Sequence, residues 1–253
     1  MVEKSSYPKV DVSVCMATYN GEKFIRHQVE SILDEFGQDD ELIIVDDSSI
    51  DGTTQILRSF GDRRLRLFVN DKNLGVNAAF EKAIQLAGNE IIFLSDQDDV
   101  WVSGRLGVMK DALLNSGKML LTSNAICINT WGEKMELSLG AVSDSSSETY
   151  LRNILDIFLG KGNYFGCVMA FRSNLKKVIL PFPDYIESHD LWIAKAANLL
   201  KSNLHLNEVT LFRRVHGANA SIIRRNLLSK IWSRFIFVRS IIELKRRIHY
   251  TKL

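Results

Sequence analysis

The sequence predicts an α/β protein built on a mostly parallel central sheet flanked by helices, followed by a C-terminal amphipathic helical segment. Three observations carry that reading. Short apolar, β-rich runs alternate with segments of helical periodicity through roughly the first hundred residues, the pattern of strands joined by crossover helices. Four of these runs each stop at a polar cluster, TYN, DDSS, NDKN and SDQDD, and parallel sheets bind ligands at the carboxyl ends of their strands. From Arg224 onward the chain carries nine Lys/Arg and one acid, interleaved with apolar and aromatic residues.

The elements follow in order. VDVSVCMATYN reads as a buried strand, and in EKFIRHQVESILDEF the residues Phe24, Ile25, Val29, Ile32, Leu33 and Phe36 recur at helical spacing. ELIIVDDSS is the second strand, DGTTQILRSF a helix with Asp51 as its cap, and LRLFVND the third strand. NLGVNAAFEKAIQLAG is a helix ending at Gly88, and EIIFLSD the fourth strand. Beyond Trp101 the periodicity weakens: KMLLTSNAICIN and GNYFGCVMAF read as strands, SDSSSET (143–149) as a mobile loop, and SHDLWIAKAANLL as a helix. The expected organisation is one domain over 1–221, with a nucleotide-binding half at about 8–115 and a second half at 116–221, then a basic tail at 222–253.

Composition narrows the class. With 46% hydrophobic and 25% charged residues, the 253-residue chain is expected to be a soluble globular protein. Cys15, Cys127 and Cys167 make neither a disulfide framework nor a metal spacing, which suits a reducing compartment. MVEKSSYPK has no apolar core and no run reaches the ~20 apolar residues of a membrane span, so the expectation is a cytoplasmic protein.

FLSDQDDVW sets an apolar run against Asp96, Asp98 and Asp99. Residues two apart on an extended segment point the same way, and two such carboxylates raise each other's pKa unless a cation joins them. A hard divalent ion, Mg²⁺ or Mn²⁺, bridges carboxylates to phosphates. Alone, the motif is equally an acidic turn or a helix cap. Its place on the same rim as three other polar clusters favours a site that holds a diphosphate.

TYNG at 18–21, VDDSSIDGT at 45–53, NLG at 73–75 and DQDD at 96–99 together resemble the family 2 glycosyltransferases, which have the Rossmann-like GT-A fold. GCVMAF (166–171), SHDLW (188–192) and FRRVHGAN (212–219) also resemble that family, particularly its bacterial rhamnosyltransferase-like members. The resemblance implies that Thr18, Tyr19 and Glu22 line the base and ribose, that Asn73 and Gly75 belong to the donor site, and that Asp47 meets a pyrimidine. It makes Asp98 the main metal ligand, with Asp96 on ribose or on the metal through water. Asp99 is left to cap the next turn. Asp190 is the implied general base, with Glu187 as a second candidate, and His216 is implied to approach the metal or diphosphate. Arg213 and Arg214 offer charge for phosphate oxygens or form a solvated face. Capping of the helix that begins near Leu191 is the competing account of Asp190, and packing that of His216.

Two departures from the family pattern stand out. His189 occupies a position that is usually acidic, and the helix after NLG has Asn77 and Ala79 where an arginine is common. The implied activity is inverting transfer of a sugar from dTDP-L-rhamnose, or otherwise a UDP-sugar, to a saccharide or lipid-linked saccharide in bacterial surface polysaccharide synthesis. A catalytically silent nucleotide-sugar-binding module is the alternative.

In the tail, Leu228, Ile231, Trp232, Phe235, Val238 and Ile242 among closely spaced cations read as a helix lying on the inner face of the cytoplasmic membrane, or as one packed on the domain. No nucleic-acid motif accompanies the basic run. A haloacid-dehalogenase-type phosphatase would place its Asp-x-Asp after the opening strand. A nucleotidyltransferase wants a Gly-rich basic loop there, and a dehydrogenase a G-x-G-x-x-G; this sequence has neither.

Overall fold

In the computed structural model, which describes residues 10–137, 139–216 and 227–251, the run VSVCMAT becomes β1 (Val12–Thr18). Its side chains alternate between two buried layers: Val12, Val14 and Met16 enter one apolar cluster and Cys15 the other. That two-sided burial is why the run is apolar throughout rather than alternating with polar residues.

The remaining elements are α1 (Ile25–Leu33), β2 (Glu41–Asp46), α2 (Thr53–Ser59), β3 (Leu65–Val69), α3 (Val76–Leu86), β4 (Ile91–Ser95), β5 (Val100–Trp101), α4 (Arg105–Ser116), β6 (Leu120–Ile128), α5 (Tyr150–Leu159), β7 (Met169–Arg172), α6 (Lys176–Ile179), α7 (His189–Leu199), β8 (Asn203–Arg214) and α8 (Leu227–Tyr250). One eight-stranded sheet runs β3-β2-β1-β4-β7-β6-β8-β5. The pairs among β1 to β4 are parallel, as is β6 with β8, whereas β7 is antiparallel to both its neighbours and β5 to β8. The α/β class and the mostly parallel, helix-flanked sheet are therefore as expected, with each antiparallel pair involving a strand of the second half.

Several local expectations need correction. Helix α3 stops at Leu86, because Ala87 turns extended and the N–H of Gly88 goes to Glu41 Oε1 at 2.8 Å. The cap of α2 is Gly52; Asp51 precedes it and accepts the N–H of Thr53 at 3.0 Å. Residues 143–149 are pinned rather than loose. Asp144–Ser146 form a 3-10 turn, Asp144 accepts from the backbone and side chain of Asn207, and the Ser146 hydroxyl meets His205 Nδ1 at 2.6 Å. Of GNYFGCVMAF only the last residues join the sheet, since Gly166–Val168 make another 3-10 turn.

Helix α8 packs against the domain through Ile236, Ser240 and Leu244, with Phe237 and Ile248 partly covered. Arg247 donates to the carbonyls of Val178, Ile179 and Pro181. The row the sequence singles out, Ile231, Trp232, Phe235, Val238 and Ile242, faces outward and is more than half exposed; the side chain of Leu228 lies outside the described residues. Among the described residues no helix is long and apolar enough to cross a membrane.

Candidate active site

The carboxyl ends of β1, β2 and β4, the turn before α3 and the first turn of α7 border one open cleft of about 1540 Å³. That exceeds the ~300–1,000 Å³ typical of a small-ligand pocket and leaves room for two reactants. From the first half Thr18, Tyr19, Glu22, Asp47, Asn73, Gly75, Asp96 and Asp98 line it. Glu187, Asp190, Arg213 and His216 line it from the second half.

The first-half rim is tied together by Gln97, a residue to which sequence reasoning gave no structural part. Its Oε1 accepts from the Thr18 hydroxyl and from the N–H of Tyr19 at 2.9 Å, and its Nε2 donates to the Tyr19 carbonyl at 3.1 Å. A Cβ on Gly21 would strike the Gln97 carboxamide, so the glycine of TYNG is a clearance requirement. The two oxygens of Asp47 take the side-chain amide of Asn70 and the backbone N–H groups of Leu74 and Gly75, at 2.7–3.0 Å. Gly75 stands at φ 90°, ψ 158°, a conformation essentially restricted to glycine, and it opens α3. Asp47 thus shapes the NLG loop while lining the cleft. Glu22 accepts the N–H of Gly52 at 2.7 Å and so holds the start of α2 against the same rim.

The acids after β4 are neither spread into water nor left unbalanced. Asp96 and Asp98 line the cleft, whereas Asp99 is buried behind them. Asp99 does not cap a turn: its Oδ1 accepts the backbone N–H of Arg214 at 2.9 Å, linking β8 to the acidic turn, and its Oδ2 has no hydrogen-bond partner among the described residues. Burial, reinforced by Asp98, pushes the Asp96 carboxyl up to about 6, against the pull of Arg213. Burial also drives the Asp99 carboxyl well up, with Asp96 and Asp98 adding to it. Burial works against the charge of Arg213, but Cys167, Asp96, Asp99 and Asp98 around it hold that guanidinium above its ordinary value.

The neighbouring Arg214 has a different job. It is buried, donates to the carbonyls of Asp98, Asn129 and Thr130 at 2.9–3.0 Å, and covers the ring of Phe24. Of the two arginines, only Arg213 lines the cleft.

Ligand atoms of Asp96, Asp99 and Cys167 lie within 4.8 Å of one another, and Asp98 Oδ2 stands 2.7 Å from His216 Nε2. Burial holds the Cys167 thiol far above its ordinary pKa, and a protonated soft thiol is a poor donor to a hard cation. Asp96, Asp98 and His216, which line the cleft, offer the oxygen and imidazole donors that fit Mg²⁺ or Mn²⁺.

Ser188, not Asp190, holds the N-cap position of α7, and Asp190 lies in the helix's first turn. Its Oδ1 accepts the N–H of Leu191 at 2.7 Å. Asn77 accepts the N–H of His189 at 3.0 Å and donates to the carbonyl of Ile186 at 3.2 Å, pinning the start of α7 to α3. The His189 ring stacks on Phe80 with centroids 4.0 Å apart, and burial lowers its pKa despite Asp190. A neutral, packed imidazole does not compete with Asp190 for a proton. A Cβ on Gly166 would come within 2.8 Å of His189 Nε2, which accounts for the glycine of GCVMAF. Glu187 accepts from the Ser233 hydroxyl at 2.6 Å, so α8 reaches the site's edge.

Residues 13–179 match the family described as Glycosyl transferase family 2. The chain is 30% identical over 118 residues to the Escherichia coli UDP-Glc:alpha-D-GlcNAc-diphosphoundecaprenol beta-1,3-glucosyltransferase WfgD, covering 47% of each chain. It therefore spans only about half the length of that relative. It is 25% identical over 245 residues to an uncharacterized glycosyltransferase of Haemophilus influenzae, covering 94% of this chain and 92% of that one. Among solved structures, S. aureus TarS in complex with UDP-GlcNAc superposes with a TM-score of 0.71 at 19% identity, over 96% of this chain and 68% of that one. The Pyrobaculum calidifontis mannosyltransferase PcManGT with GDP-Man and Mn²⁺ gives 0.63 at 16% identity, over 98% and 77%. At these identities the structures show the fold alone.

Proposed function

The chain belongs to glycosyl transferase family 2, and from that premise we propose that it is a metal-dependent, inverting hexosyltransferase using a pyrimidine nucleoside diphosphate sugar. The observation that carries the reading is a single cleft that brings together Asp96, Asp98 and His216 with Asp190 of α7, whose charge reaches Asp96. Asp190 takes the proton of an acceptor hydroxyl as that oxygen attacks the anomeric carbon. The bond from that carbon to the diphosphate oxygen breaks, the nucleoside diphosphate leaves on the opposite face, and the anomeric configuration inverts. When bound, a divalent cation supplies charge neutralisation for the diphosphate, and Asp98 and His216, with Asp96, are the residues that would hold it. Arg213 adds fixed positive charge in the same cleft, where the family's arginine on α3 is missing.

Glu187 is the second candidate base, and its carboxylate accepts the Ser233 hydroxyl. Thr18, Tyr19, Glu22, Asn73 and Gly75 form the donor pocket in this reading. The acceptor is a saccharide or a lipid-linked saccharide, as the activity for which WfgD is named suggests, and the setting is bacterial surface polysaccharide synthesis at the cytoplasmic face of the membrane. The donor of WfgD and the ligand in the TarS complex favour a UDP-sugar. The DQDDVW and SHDLW forms of the motifs favour dTDP-L-rhamnose as the second reading.

A thermal-shift panel of UDP-, dTDP- and GDP-sugars with and without Mn²⁺ tests the proposal. Ligand binding stabilises by RT ln(1 + [L]/K_d), so a preferred donor raises Tm by a few degrees, about 2–4 °C per kcal/mol for a domain of this size. Absence of a shift with any pyrimidine nucleotide sugar in the presence of Mn²⁺ would remove the proposal.

A further inference from the structure

Helix α8 exposes Ile231, Trp232, Phe235, Val238 and Ile242, each by more than half, at the spacing of one helical face. The Trp232 and Phe235 rings stack on each other, with centroids 5.5 Å apart, instead of folding inward. A second helix does the same: α5 exposes Leu151, Leu155 and Leu159 at i, i+4 and i+8.

The two helices adjoin, and both pack on α7. Phe158 of α5 meets Phe237 of α8 edge-on at 5.2 Å, and Arg234 lies over the Phe158 ring. Leu159 and Gly160 from α5, and Lys230, Ser233 and Arg234 from α8, line the rim of the cleft. Eight outward apolar side chains on two adjoining helices exceed the scattered exposure normal for a soluble surface.

Charge selects the occupant. Along the described part of α8 stand Lys230, Arg234, Arg239, Lys245 and Arg246 against Glu243 alone, with Arg247 turned to the domain's carbonyls. An apolar row with aromatic anchors and a cationic margin is complementary to an anionic lipid surface, into which such helices sink by several ångströms. A protein partner would need a matching acidic rim, whereas an anionic bilayer offers that charge at every orientation around the normal.

We propose that α5 and α8 together form a two-helix docking face for anionic lipid bilayers, which turns the cleft mouth toward the membrane surface. The sequence suggests a tail anchor alone; the leucine row of α5 and its junction with α8 extend the surface to the body of the domain.

Cosedimentation of the full chain with vesicles of phosphatidylglycerol or of phosphatidylcholine tests this. Wild type should bind phosphatidylglycerol vesicles and leave phosphatidylcholine vesicles nearly bare. The paired substitutions Leu151→Ser with Leu155→Ser, and Trp232→Ser with Phe235→Ser, should each weaken binding by about tenfold or more. Both pairs sit on solvent-facing positions, and unchanged thermal unfolding would certify their folding. Three results overturn the proposal: no binding to phosphatidylglycerol by wild type, binding by the α5 pair equal to wild type, or a wild-type dimer that either pair disperses, which would make the occupant a second copy. A UDP-induced thermal shift that persists while vesicle binding is absent would refute docking and leave the transferase reading intact.

Discussion

His216 Nε2 stands 2.7 Å from Asp98 Oδ2, joining the residue just beyond β8 to the acidic turn beyond β4 across 118 positions of sequence. Phe24 stacks on that imidazole at 5.0 Å, so the pair is held from both sides. In the transferase reading this contact is where the two halves share one cation. Asp98→Asn should abolish the Mn²⁺-dependent part of the nucleotide thermal shift and lower kcat/KM by about 10²–10³, the size of one lost electrostatic stabiliser. His216→Gln should do the same more mildly. Calorimetric titration with Mn²⁺ and UDP checks both, and undiminished Mn²⁺ dependence in Asp98→Asn would count against the assignment.

Arg213 and Arg214 adjoin in sequence but are expected to fail differently. Arg213→Gln should raise KM for the donor about tenfold with little change in Tm, because the residue lines the cleft. Arg214→Gln removes donors to three carbonyls and should lower stability by about 2–3 kcal/mol through buried acceptors left unpaired. Steady-state kinetics alongside thermal melts separates the two outcomes.

Gly166→Ala introduces a methyl group 2.8 Å from His189 Nε2. Overpacking of this kind costs about 1–3 kcal/mol, and the strain falls on the first turn of α7, which carries Asp190. Loss of kcat should therefore accompany the drop in Tm. The companion change Asn77→Ala unpins the same turn without overfilling it and should lower kcat with a smaller loss of stability.

His205 supplies a pH signature of its own. Burial lowers its pKa from 6.5 to about 4, and its ring nitrogens meet Ser146, Tyr164 and Asn203. Between those values the unfolded chain binds the proton and the folded one does not. The stability contributed by neutral His205 is thus fully present above about 6.5 and lost as pH falls toward 4. Tm should decline across that window, and His205→Gln should flatten the decline; an identical slope in the variant would show that other groups set it.

The parts of the site that could be read in advance were those where a polar cluster closes a two-sided apolar run, as with Thr18 at the end of β1 and Asp96 just after β4. There strand, strand end and site are one contiguous signal. The parts that could not be read rest on pairings of distant residues. Gln97 meets Thr18 across 79 positions and Asn77 meets His189 across 112, and neither residue type announces such a partner. The strand β5 was likewise obscure, being two residues long and defined by what it pairs with, whereas the end of GNYFGCVMAF was read as strand and forms β7. The tail carries two apolar rows, and periodicity alone does not say which one the domain covers.

The central claim is that Asp190 removes the acceptor proton opposite a cation-held diphosphate. The direct test is Asp190→Asn, assayed for sugar transfer by product analysis and for donor affinity by calorimetry on the same preparation. Transfer should fall by about 10³-fold with donor affinity within twofold of wild type. Transfer that survives within a few fold would contradict the claim.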